Sequence, residues 1–373
     1  MLPAQDRHRI VGYDLARGIA IFGMILINFT MIFSTNQTTP VFLIDFLEFI
    51  NRRSAATLVM VAGVGMTLLS KGQVVNGKRQ VRPGTKRDLF KRACFLLVAG
   101  YLLSMTWAGD ILHFYGVFII IGICFLTASN RVVLSAAGFF FLVGVILYSI
   151  DSDTIRQGLT DHFFSDQVAD ILFSGYYPVF PWTAFLLGGI WFGRQYVSNP
   201  LFKKKALVWA AVMVAMAEIG SRIVLGHVSK DLPDAFAALI RVMQPWAIID
   251  LTIPSPLSVI SGFGTSMMVI LFSMGTCERQ GERWLSHWTA AGKTSLTLYV
   301  FHILFVINPL MILGVSHKEN TVPVIIGASV FFFFYSTFAR MWLKRYEKGP
   351  LELLMRAFPF FAKSTDSAKI DSR

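Results

Sequence analysis

Long apolar runs separated by shorter polar connections set the pattern of this chain. The runs centre near residues 17–34, 54–70, 92–107, 110–128, 132–149, 179–196, 206–225, 258–277, 293–314 and 322–343. Each approaches the roughly 20 helical residues needed to cross a hydrocarbon core. None alternates with the period of two of a barrel strand, and lipid offers backbone groups no partners, so helices are predicted. The expected fold class is all-α: a polytopic membrane helix bundle of about ten transmembrane helices. One integral-membrane unit is predicted over residues 1–356, followed by a polar, disordered tail over 357–373. The first run follows Arg7, Arg9 and Arg17 with no small-residue cleavage site behind it, which reads as a retained signal-anchor.

Charge fixes the expected orientation, because cytoplasmic loops keep their lysines and arginines during insertion. The loop after the second run holds Lys71, Lys78, Arg79, Arg82, Lys86, Arg87, Lys91 and Arg92. Counting spans from it puts both termini, Arg131, Lys203 to Lys205, Arg279 and Arg283 on the same side. Both termini are therefore predicted to be cytoplasmic. The net charge of +12 then follows from positive-inside bias and attraction to anionic lipid, so membrane lipid is an expected partner and nucleic acid is not. Composition agrees: 54% of the 373 residues are hydrophobic and only 15% charged, which is not the balance of a soluble domain. Cys94, Cys124 and Cys277 have no paired spacing, and no His-x-x-x-His or Cys-x-x-Cys pattern appears, so no metal is expected.

The outer connections carry their own signals. Residues 40–53 predict an interfacial helix interrupted by Asp45 and Glu48. Tyr176, Tyr177, Trp182 and Trp246 fit an outer aromatic belt, and Trp182 is also a candidate acceptor contact. Residues 150–178 and 226–257 are long enough to cover or line something. Asn36-Gln-Thr38 matches a glycosylation sequon.

Polar residues inside the runs are the chemical candidates, since charges there cost about 2.5 to 3.5 kcal/mol on insertion scales and normally face a partner or a wet cavity. Asp14 and Arg17 open the first run, with Asn28 further along; an interfacial ion pair is their structural alternative. Asp110, His113 and Tyr115 open the fourth, where a carboxylate three residues before an imidazole can orient it as an acid–base group. Glu218 and Arg222 fit an intrahelical structural pair. Ser295, Tyr299 and His302 form a stripe behind Lys293, and His302 is the side chain there that trades protons near neutral pH. Ala291-Gly292-Lys293-Thr294 echoes a phosphate-binding loop, but the first glycine of that motif falls at His287, which excludes nucleotide hydrolysis.

Four segments also resemble the signatures of the YeiB-like bacterial membrane proteins: RIVGYDLARGIAIFGMILIN at 9–28, GDILHFYG at 109–116, GKTSLTLYVFH at 292–302 and WLKRYEKGPLELLMR at 342–356. YYPVFPWTAFLLGGIWFGR at 176–194 resembles the Pro-Trp segment of bacterial relatives of heparan-alpha-glucosaminide N-acetyltransferase. The matched positions are Asp14, Arg17, Gly18, Asn28, Asp110, Tyr115, Gly292, Tyr299, Gly349, Pro350 and Glu352. The relatives often carry a histidine where this chain has Leu102 and its neighbours, the acetyltransferase branch typically has a histidine late in the first span where this chain has Asn28, and an arginine is usual at Lys293.

The resemblance implies a membrane acyltransferase of the bacterial inner membrane that moves an acyl group from cytosolic acyl-CoA or acetyl-CoA to a hydroxyl or amine acceptor, a small molecule or glycan, at the outer face. A homodimer is among the assemblies it admits. On that reading His113 or His302 is the base, Asp110 orients His113, and Asp14, Arg17, Arg92 and Lys293 surround the donor's phosphates. Asn28, Tyr115, Tyr299 and Trp182 are then the candidate substrate contacts. The competing reading is a proton-coupled small-molecule transporter or flippase built on the same buried groups.

Overall fold

The computed structural model describes residues 4–35, 39–51, 53–70, 72–75, 78–149, 168–198, 201–227, 255–280, 285–315 and 319–358. The sequon at 36–38, Trp246, most of the two long connections and the tail from 359 lie outside them. In chain order come α1 (Ala4–Phe33), β1 (Ser34–Thr35), α2 (Val41–Ile50), α3 (Arg53–Ser70), β2 (Gln73–Val75), β3 (Lys78–Gln80), α4 (Thr85–Ser104), α5 (Leu112–Phe125) and α6 (Asn130–Ser149). Then follow α7 (Val179–Ser198), α8 (Phe202–His227), α9 (Pro256–Gln280), α10 (Ser286–Lys293), α11 (Ser295–His302), α12 (Asn308–Ile312), β4 (Glu319–Asn320), α13 (Thr321–Trp342) and α14 (Pro350–Ala357). The architecture is all-α apart from two strand pairs. β2 and β3 form an antiparallel hairpin in the basic loop, and β1 pairs in parallel with β4, tying the end of α1 to the start of α13.

Helix covers most of every expected run, but seven stretches among the described residues are long and apolar enough to cross a membrane, fewer than the ten expected. The other three runs show why. α4 carries Lys86, Arg87, Asp88, Lys91 and Arg92 in its first turns, and α5 is only 14 residues long. α7 is diluted by glycine, tryptophan and Arg194, yet almost all of it is enclosed by protein. A helix surrounded by other helices does not have to be greasy, only well packed. Lipid-facing helices show the complementary pattern: α8 exposes Leu207, Val208, Trp209, Met216, Ile219 and Ile223. An apolar face of that extent belongs against lipid or protein.

α1 runs through the bundle and packs on α3, α9, α10 and α13, while α7 packs on α3, α5 and α6. The α1 to α10 approach depends on glycine: a Cβ on Gly18 would stand 2.1 Å from the Trp288 carbonyl oxygen, and one on Gly292 would stand 1.8 Å from that of Asp14. α2 is helical as expected and buries none of its residues.

Two buried arginines hold the helices in place. The Arg53 guanidinium, 5% exposed, donates to Glu218 of α8 and to Ser261 Oγ of α9 at 2.9 and 3.1 Å, and Ser261 donates in turn to Glu218 at 3.0 Å. This corrects the expected Glu218 to Arg222 pair. The carboxylate faces the bundle, where Arg53 would otherwise be buried without a counter-charge.

Arg194 of α7, 3% exposed, donates to the carbonyls of Phe125, Leu126 and Ala128 at 2.9 to 3.0 Å and to Asn130 Oδ1 at 3.2 Å. These carbonyls close α5, where the last turn lacks intrahelical donors and the helix dipole favours a cation. Arg194→Met is expected to lower stability by about 3 kcal/mol, because several buried acceptors lose a charged donor. Arg194→Lys should recover less than half of that, since a point charge cannot span the fork of carbonyls. Reversible unfolding in detergent measures both.

Candidate functional site

The ninth expected span is interrupted at its start. Thr294 has φ −114° and ψ 27°, off the helical region, and separates α10 from α11. Its side chain folds back to donate to the Ala290 carbonyl at 3.0 Å. The first N–H groups of α11 therefore need outside acceptors, as at any helix start. Glu352 of α14 supplies them: Oε1 accepts the N–H groups of Leu296 and Thr297 at 2.8 and 3.3 Å, and Oε2 accepts the Thr297 hydroxyl at 2.6 Å.

Beside this junction lies a cavity of about 560 Å³ that reaches from the basic loops along α1 and α11 to α5. Among the described residues, six cationic side chains line it: Arg17, Arg82, Arg92, Lys293, Lys348 and Arg356. They come from α1, the hairpin connection, α4, α10, the loop before α14 and α14 itself. Asp14, 5% exposed, binds Arg17 Nη1 at 3.1 Å, and Glu352 is the other carboxylate in the wall. Burial, then the charges of Arg356, Arg92 and Arg17, lower Lys348 to about 8. Leu58, Met66, Leu69, Leu96 and Ile119 make the remaining wall apolar.

The inner end of the cavity is formed by Tyr115, Tyr299, Ile111 and Leu112. The Tyr299 hydroxyl accepts the Ile111 N–H at 3.2 Å and lies within electrostatic reach of Asp110. Asp110 is fully buried; its Oδ2 accepts the His113 backbone N–H at 3.2 Å and stands 2.9 Å from His113 Nδ1. An oxygen that accepts from the backbone accepts from the ring too, so Nδ1 carries the proton and Nε2 presents its lone pair. His113 is partly exposed and packs against Phe114 with ring centroids 4.0 Å apart.

His302 sits behind Tyr299, with ring centroids 5.3 Å apart, and is fully buried. Its Nδ1 faces the Leu298 carbonyl at 3.3 Å and its Nε2 lies 3.0 Å from the Asn28 side-chain nitrogen. Only one tautomer satisfies both contacts: Nδ1 donates to the carbonyl and Nε2 accepts from the amide. A π-helical turn, Ile303–Ile307, follows at once, where Pro309 removes an N–H and the ladder shifts.

Asp14, Arg17, Arg92, Lys293, Tyr115 and Tyr299 thus share one cavity wall. Asp110 and His113 stand behind its inner end, and Asn28 pairs with His302 outside its lining. Trp182 corrects the aromatic-belt expectation: it is 1% exposed and packs edge-on against Tyr177 and beside Phe185, away from the cavity. Arg82, Lys348 and Arg356 were not singled out by sequence reasoning, and no role was read for Glu352. The available signal was the pattern of WLKRYEKGPLELLMR, whose basic residues flank a Gly-Pro helix start.

Two family models match the chain. One, described as "Heparan-alpha-glucosaminide N-acetyltransferase, catalytic", matches residues 9–225, and the other, "Protein of unknown function (DUF418)", matches residues 191–361. No curated protein matches. The first model spans more than half of the 373 residues and contains the α1 and α5 parts of the cavity; the second contains α10, α11 and α14. With both halves of the cavity inside matched segments, the chain belongs to the family of heparan-alpha-glucosaminide N-acetyltransferase catalytic domains.

Proposed function

We propose that this protein is an integral-membrane acyltransferase that takes an acyl group, acetyl in the first instance, from cytosolic acyl-CoA and delivers it to a hydroxyl or amine acceptor at the opposite face. One observation carries the reading: a single cavity has six cations at one end, apolar walls along its length, and Tyr115 and Tyr299 at the other end beside Asp110. The cationic end suits phosphate groups, which arginines grip through paired, charge-assisted hydrogen bonds. The narrow apolar part suits a pantetheine arm. On this reading the basic end and both termini face the cytoplasm of a bacterial cell, in the inner membrane.

The donor supplies the acyl group on a thioester and a thiol leaving group. The chain supplies the positioning and the proton transfers. His113 Nε2 takes the acceptor proton, with Asp110 fixing the ring and balancing the charge that develops on it. Tyr299 accepts the Ile111 N–H through its oxygen and directs its own O–H toward Asp110, which ties the inner end of the cavity to the Asp110–His113 pair. His302 has both nitrogens engaged and no exposed surface, so we assign it to fixing α11 against Asn28 and give the base role to His113. An acceptor enters from the face that His113 shares with solvent.

Three outcomes test this. Full-length protein in detergent should bind coenzyme A by calorimetry, and Arg17→Ala or Lys293→Ala should each weaken binding about tenfold, the scale of one charged hydrogen bond. If wild type does not bind, the donor assignment fails.

The second outcome is pH dependence. Lys348 is depressed to about 8 in the free protein, and a bound anion must raise it, so binding takes up protons. Affinity should therefore fall as pH rises from 7 to 9. Lys348→Arg, which stays charged, should flatten that slope, and a slope unchanged in the variant would remove Lys348 from the site.

Finally, His113→Ala should reduce acyl transfer by about 100-fold or more while leaving coenzyme A affinity unchanged, as expected for a general base. Transfer that survives His113→Ala and collapses only in His302→Ala would reverse the assignment.

A further inference from the structure

The Gly-Pro-Leu-Glu segment that opens α14 has a geometry that the proposed transfer does not by itself explain. Gly349 leaves space for a carboxylate: a Cβ there would stand 2.2 Å from Glu352 Oε2 and 2.8 Å from Thr297 Oγ1. Pro350 starts the helix at a position that needs no N–H. Glu352, two residues on, turns its carboxylate away from solvent, 9% exposed, and onto the start of another helix. There it takes the Leu296 and Thr297 N–H groups and the Thr297 hydroxyl, while the Leu351 N–H donates to Thr297 Oγ1 at 3.0 Å. Burial raises the Glu352 pKa, and these donors, with its own N–H, pull it back. Every contact uses the carboxylate as an acceptor.

Besides Glu352, the same segment carries three cavity-lining side chains: Lys348, Met355 and Arg356. Beyond it, Phe358 stacks edge-on against Phe95 of α4 with centroids 5.3 Å apart. α14 contacts α4 and α11. A third of the cavity's cations therefore reach it only when this helix is seated. The broken span, in turn, has its exposed N–H groups satisfied only by the helix that covers it.

We propose that Glu352 is a positioning residue that docks α14 as a removable wall of the donor cavity, so that the basic site is assembled by the seating of this helix on the α11 start. The proposal rests on the cavity being a donor site for its consequence, but not for its geometry. Seating and anion binding are coupled: an anion gripped by Lys348 and Arg356 together with Arg17 and Arg92 bridges the wall to the bundle, and unseating removes two of those four groups.

With Cys94 and Cys277 replaced by alanine, Met355→Cys places a thiol on the cavity side of α14, and site-resolved maleimide labelling in full-length protein reports whether the helix is seated. With Glu352 present, labelling should be slow, and about 1 mM acetyl-coenzyme A, which has no free thiol to consume maleimide, should slow it further. Glu352→Ala and Thr297→Val should accelerate it about tenfold or more, the effect of losing charged or buried hydrogen bonds at the dock. Glu352→Gln keeps an acceptor for the two N–H groups and should restore most of the protection, which a general loss of folding would not allow.

Labelling at Cys124 on α5, remote from the dock, should not change and serves as the folding control. Equal labelling of Met355→Cys with and without Glu352 overturns the dock. Protection that depends on Glu352 but never responds to acetyl-coenzyme A leaves the dock standing and overturns the donor reading instead.

Discussion

A backbone N–H inside a bundle in lipid has no water to fall back on, and the break at Thr294 creates such groups in the middle of the chemistry. The structure answers with one carboxylate. Glu352 closes the start of α11, and because it arrives on α14 it brings basic residues with it. Position and charge are thereby settled together. Lys293 stands at the end of α10, Tyr299 and His302 point along α11, and both directions are fixed by how the break is held.

Other buried polar groups follow the same constraint with different partners. Arg194 satisfies the open carbonyls of α5, and Arg53 shares Ser261 with Glu218. Asn28 and Leu298 between them leave His302 one tautomer. Each of these sites couples helices that are remote in sequence. Asp110 differs: it is fully buried, yet its partners Tyr299 and His113 lead from the cavity's inner end to a partly exposed ring. The interior thus holds polar groups that tie remote helices together and one string that runs from the cavity wall through Asp110 to His113.

Much of this was legible in the sequence, and the rest failed for identifiable reasons. Apolar runs located the helices because length and hydropathy are local properties, and the Asp110 to His113 contact was readable because residues three apart share a helix face. Glu218 was assigned to Arg222 by the same local rule, and the true partner lies 165 residues away on α3. Sequence spacing cannot see such a pair. Trp182 was placed at an interface by its residue type, whereas α7 is enclosed, a property of its neighbours. α4, α5 and α7 depart from the expected spans for separate reasons: α4 begins in basic turns, α5 is apolar but only 14 residues long, and α7 is enclosed by its neighbours. Lys348 and Arg356 sit in an ordinary-looking basic segment, and their place in the cavity wall depends on contacts across the chain, such as that of Glu352 with Leu296, which spacing does not reveal.

The six cations around the cavity have a thermodynamic side. They come from segments spread between residues 17 and 356, so their repulsion exists only when the chain is folded. Asp14 and Glu352 offset part of it, and Lys348 yields by holding its proton less tightly. An anion that enters relieves the remainder, and by mass action whatever binds the folded chain alone also stabilises it. An anion held in this cavity would therefore add to the stability of the fold, whatever chemistry it brings.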